Sequence, residues 1–203
     1  MLFWLADRLT RRGAKPIVVN RGISISLDCL FILSVVAFLT IVQEPTRAAV
    51  LSLLILIAVL VTITDLSRHL IPDWITLPGV VLGLSLNLMN SLSTFIDAAA
   101  AAVLLGGLLL ALAWIWDRFL DKPDAMGGGD IKLAAMIGSF LGIQLGAWAI
   151  MLGAILTLIG YVVASPFGHR KTRVPFGPGL AWACLVMYGF ANEILSLVTS
   201  YVP

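Results

Sequence analysis

Six long apolar runs and one short one divide this chain, at roughly 23–42, 47–66, 74–92, 95–116, 131–143 (the short one), 145–165 and 178–200. A run of about 20 apolar residues suits the hydrocarbon of a bilayer, where every backbone polar group must be bonded within its own segment. The pattern therefore predicts an all-α, polytopic membrane helix bundle of about seven transmembrane helices. The composition agrees, with 60% hydrophobic and 12% charged residues among 203. Such a balance excludes an ordinary soluble domain. No nucleic acid partner is expected, and the lipid bilayer is the first partner.

The basic residues set the orientation. Arg8, Arg11, Arg12, Lys15 and Arg21 precede the first run, and Arg68, Arg118, Lys122, Lys132, Arg170, Lys171 and Arg173 fall in alternate connections; Arg47 alone belongs to the other side. By the positive-inside rule the N-terminus and the loops 67–73, 117–130 and 166–176 are cytoplasmic. Residues 1–22 read as a cytoplasmic basic segment. Leu2, Phe3, Trp4, Leu5 and Leu9 beside its arginines suggest a short helix lying in the membrane interface, and no cleavage site follows. Residues 23–203 form the transmembrane domain. Cys29 and Cys184 have no partner at metal-ligand spacing, so they are expected as apolar packing residues.

Carboxylates near a bilayer are costly and mark function by default. Asp65 ends the second run in "VTITDLSRHLIPDWITLPG", and Asp130 opens the short one in "GGGDIKLAAMIG". Two crossings separate them, so both stand on the same membrane face and can meet. A close pair of carboxylates shares one proton, so that one member activates water while the other polarises a carbonyl. An aspartate at a helix start also caps free N–H groups, which gives Asp130 a second explanation. Asp65 stands in a last turn, where the helix dipole is unfavourable and no capping role is available. Gly127, Gly128 and Gly129 would let an extended backbone approach Asp130. A phosphate loop is not expected, since no Lys-Ser or Lys-Thr follows.

These two stretches together resemble the signature regions of the type IV prepilin peptidases, bacterial membrane aspartyl proteases of the GxGD kind. A third, "VPFGPGLAWA" at 174–183, resembles the segment that opens the last helix of that family. The resemblance runs from about residue 47 to 200, in order; GxGD alone would be weak, but the pair is specific. It implies cleavage of the basic leader from prepilins or pseudopilins, serving type IV pili or type II secretion, at the cytoplasmic face of the bacterial inner membrane. Asp65 and Asp130 would be the catalytic pair, with Pro72, Asp73, Gly127, Gly128, Gly129, Lys132, Pro175 and Gly177 binding substrate or shaping the site. No metal and no cofactor are implied.

The chain departs from that family in three ways. It lacks the paired Cys-x-x-Cys insert associated with methyl transfer, so peptidase without N-methyltransferase activity is expected. Asp73 stands where Asn is more usual and is expected to cap the helix after Pro72; Gly179 stands where a second Phe often follows Pro178. The excess of Asp117, Asp121 and Asp124 over Arg118 and Lys122 could attract a basic leader. Pro78 is expected to bend its helix. Gly83, Gly106, Gly107, Gly138, Gly142, Gly146 and Gly153 permit interior packing or a homodimer equally. The rival reading is a non-catalytic scaffold or small transporter with Asp65 and Asp130 as ion sites; carboxylates at the inner boundary and the lack of a repeat speak against it.

Overall fold

The computed structural model describes residues 44–119, 127–164 and 175–201. The expected interfacial segment, the helix at 23–42, Asp121 and Asp124, and the cluster Arg170, Lys171 and Arg173 lie outside the described residues. Within them, the regular structure is helical: α1 (Pro45–Arg68), α2 (Asp73–Asn90), α3 (Leu92–Phe119), α4 (Gly128–Ala164), α5 (Gly177–Gly189) and α6 (Ala191–Tyr201).

Of these, Pro45–Arg68, Leu92–Phe119 and Gly128–Val162 are long and apolar enough to cross a membrane. α1 is the innermost. Leu51, Ile55, Ala58 and Val61 on it are fully buried. Pro45 starts the helix without wasting an N–H, and His69 ends it in the left-handed region at φ 52°, donating its N–H to the Asp65 carbonyl at 2.9 Å. α3 and the later part of α4 instead turn Val103, Leu104, Leu108 and Trp114, and Met151, Ile155, Leu158 and Val162, outward. Such faces suit lipid.

Lipid tails are as apolar as leucine, so helices here gain from close packing rather than from hiding apolar surface. Small residues supply it. A Cβ on Gly138 would meet the backbone of Ala101 at 2.6 Å, and one on Gly106 the Cβ of Ala135 at 3.1 Å, which brings α3 against α4. Gly79 and Gly83 receive Met136 and Ser139, joining α2 to the same part of α4. Asn87 adds a hydrogen bond from Nδ2 to the Ser139 carbonyl at 2.9 Å. These glycines, with Gly146 and Gly153, serve interior contacts; among the described residues nothing lies within 4 Å of a Cβ placed on Gly107.

α4 is one run of residues but not one rod. Gly142, at φ 72° and ψ −173°, breaks it, close to the boundary expected between the short run and the next. A Cβ on Gly146 would lie 3.6 Å from the Cα of Gly138. Residues eight apart in a straight helix are separated by about 12 Å, so the two arms fold back on each other. The new arm begins with Ile143, whose N–H is taken by the Asp97 carboxylate at 3.2 Å. Asp97 thus caps a helix borne by another part of the chain.

The expected span at 178–200 is divided at Phe190. It is two helices of 13 and 11 residues, each shorter than the hydrocarbon at 1.5 Å per residue. A tertiary contact stands at the break. Arg47 of α1 donates from Nη2 to the Gly189 carbonyl at 2.9 Å, satisfying the end of α5 with a cation where the dipole favours one. Trp182 of α5 donates to Thr62 Oγ1 at 3.2 Å midway, so α1 and α5 run antiparallel and are joined along their length.

Candidate functional site

The far end of that antiparallel pair holds Asp65, which is 6% exposed. Its Oδ2 accepts the backbone N–H of Gly177 at 3.1 Å, the first residue of α5. The expectation that no capping role is available to Asp65 is therefore corrected. The end of its own helix offers no N–H, but the start of α5 does, and an anion there faces a favourable dipole.

Gly177 has a steric reason to be glycine. A Cβ would come within 2.8 Å of Ile71 Cδ1, 2.9 Å of Asp65 Oδ2 and 3.2 Å of Val61 Cγ1. Pro178 follows in the first turn, where its missing N–H costs nothing. Pro175 and Phe176 lead in, half-buried, and Phe176 packs on the core.

Asp130 arrives from the other direction, in the first turn of α4. Its N–H bonds the Gly127 carbonyl at 3.0 Å, and the Gly127 N–H in turn faces its carboxylate. Asp65 and Asp130 lie within each other's electrostatic reach. Ile71 marks the seam between them. It is 8% exposed, and a Cβ on Gly129 would touch its Cβ at 2.8 Å, while its Cδ1 reaches Gly177. Gly129 is thus filled by Ile71. Among the described residues nothing lies within 4 Å of a Cβ placed on Gly128, and Gly127 and Gly128 are exposed beside Asp130.

The connection carrying Ile71 is short and determined locally. His69 turns the chain, and Pro72, at φ −70° and ψ 133°, forces extended backbone around it before α2 begins. Asp73 then opens α2, but the helix has no side-chain cap; the expected capping role is corrected. Asp73 Oδ1 instead receives Lys132 Nζ at 2.6 Å. Lys132 lies two residues beyond Asp130, so this pair crosses the same seam as Ile71 and Gly129.

The structure thus brings Asp65, Pro72, Asp73, Gly127, Gly128, Gly129, Asp130, Lys132, Pro175 and Gly177 to one end of the bundle. Sequence reasoning missed Ile71, whose signal was faint: an apolar residue between two polar turns, just before a proline. Asp117 lies in the last turn of α3, exposed, and Asp121 and Asp124 lie outside the described residues.

Comparison with known proteins shows the family of the chain. The "Type IV leader peptidase family" model matches residues 50–163. The chain is 32% identical over 192 residues to a prepilin leader peptidase/N-methyltransferase of Aeromonas salmonicida (strain A449), covering 90% of this chain and 62% of that one. To the protein so named from Pseudomonas putida it is 30% identical over 196 residues, 96% of this chain and 67% of the other. The Escherichia coli (strain K12) protein of that name is 34% identical over 132 residues, 64% of this chain and 57% of its own. The chain spans about 62% of the length of the first of these relatives. No solved structure matches significantly. With both carboxylate-bearing stretches inside the matched region, the chain belongs to the type IV leader peptidase family.

Proposed function

We propose that this chain is an aspartic endopeptidase that removes the basic leader from prepilins or pseudopilins at the cytoplasmic face of the bacterial inner membrane. The observation that carries the reading is the pair of carboxylates from α1 and α4, each beside a glycine N–H and both at one end of the bundle. Two such groups suffice for peptide hydrolysis. The ionised one takes a proton from water as the oxygen attacks the scissile carbonyl, and the protonated one gives its proton to the carbonyl oxygen. The tetrahedral intermediate then collapses, returning a proton to the departing amine.

The open backbone of Gly127 and Gly128 gives an extended substrate a place to lie against Asp130. A site at the ends of spanning helices also suits a cut made beside a hydrophobic helix rather than within it. The relatives' names add methyl transfer, but residues 1–203 hold Cys29 and Cys184 and no Cys-x-x-Cys pair, so we assign leader cleavage alone to them.

The test is cleavage by the purified protein in detergent, with a prepilin or pseudopilin as substrate and products weighed by mass spectrometry. One cut just before the hydrophobic helix is expected. No cut by well-folded protein across several such substrates would overturn the reading.

A further inference from the structure

We propose that this chain thins the cytoplasmic leaflet of the bilayer beside α2 by about 9 Å, bringing lipid headgroups and water down to the level of Asp65 and Asp130 on that side. What the thinning serves rests on the reading of those two as the reacting pair; the geometry behind it does not.

The registers of the helices carry the inference. α3 runs antiparallel to the first arm of α4: Asp97 meets Ile143, Gly138 meets Ala101, and Gly106 meets Ala135. Carried on at the same rise, Asp130 stands level with about residue 110 of α3. From there α3 stays apolar for about 9 Å more, through the exposed Trp114 and Trp116, before Asp117. The later arm of α4 gives the same result independently. Gly153 meets Leu180 and Gly179 meets Thr157, so Gly177, and with it Asp65, stands level with about residue 156. Leu158, Ile159 and Val162 continue past that level, exposed among the described residues.

α2 behaves differently. It runs parallel to the first arm of α4, with Asp73 against Lys132, Gly79 against Met136 and Gly83 against Ser139. Its charged start thus lies close to the level of Asp130, and Trp74 and Leu77 turn outward just beyond it. Between Asp73 and Asn87 it has 13 residues, about 20 Å, whereas α3 has 19 between Asp97 and Asp117, about 28 Å, close to the thickness of the hydrocarbon. Asn87 and Asp97 both bond to α4 near its turn at Gly142, so the outer ends agree and the shortfall lies at the cytoplasmic end. The Asp73–Lys132 pair, with side chains 58% and 41% exposed, demands water at that level. A bilayer meets a short apolar span by thinning. At such a step a peptide bond just outside a substrate's spanning helix reaches Asp65 and Asp130 while that helix stays in lipid.

The test uses single cysteines in a Cys29→Ala/Cys184→Ala background, in inverted membrane vesicles whose cytoplasmic face is outward. Trp74→Cys on α2 is compared with Leu108→Cys on α3, and Leu77→Cys with Leu104→Cys, each pair standing at one level of the bundle. The probe is a membrane-impermeant maleimide; labelling after denaturation measures total thiol, and thermal unfolding of each purified variant checks the fold. In each pair the α2 thiol should react at least about tenfold faster, since a thiol held in hydrocarbon does not ionise. Equal rates within both pairs would overturn the thinning. Because no cleavage is read, that result would leave the peptidase reading in place.

Discussion

The Gly177 N–H donates to Asp65 Oδ2 at 3.1 Å, joining residues 112 positions apart in the chain. One contact thereby orients a carboxylate and begins a helix. It also explains why the Pro-Phe-Gly-Pro segment belongs with the two aspartate motifs.

Replacing Gly177 with alanine should therefore injure the site before it injures the fold. The added methyl meets Ile71, Asp65 and Val61 together, and overpacking of that kind costs about 1–3 kcal/mol. Melting of the purified variant should report that loss. Cleavage should fall much further, since Asp65 itself must move.

Ile71 is expected to matter through what it separates. Truncation to alanine at so buried a position should cost about 2–5 kcal/mol, whereas valine should cost about 0.5–1.5. In the alanine variant the segments bearing Gly129 and Gly177 lose their common wedge. A cleavage rate that tracked stability alone across the two variants would contradict this role.

At the fold-back of α4, Gly142 combines a left-handed backbone with direct contact to Asp97. A Gly142→Ala variant pays at least about 1–2 kcal/mol for the backbone alone. Loss of the cap in Asp97→Ala should cost about 1 kcal/mol, and the two effects should not add, because both act on one turn. Thermal unfolding of the two single variants and the double measures this directly.

Much of this was legible in the chain. Apolar runs located α1, α2 and α3 to within a few residues, because span length and backbone bonding leave the sequence few choices in lipid. The break near residue 142 was visible as a polar and glycine-rich interruption, "GIQLG". The division of 178–200 was not, and the contact found at it comes from Arg47, far away in sequence. For the same reason the partner of Asp73 was misread. A local rule offered a helix cap, whereas Lys132 lay 59 residues on and offered full charge. The bond from Gly177 to Asp65 required a packed bundle to exist at all.

The central claim is that Asp65 and Asp130 work as one unit, and a double-variant cycle tests it most directly. Cleavage rates would be measured under single-turnover conditions for Asp65→Asn, Asp130→Asn and the two combined, each checked for folding. Groups that act together are grossly non-additive, so each single variant should lose at least about 10³-fold and the double should lose no more. Losses that multiply in the double variant, or a single variant that keeps most of its activity, would contradict the account.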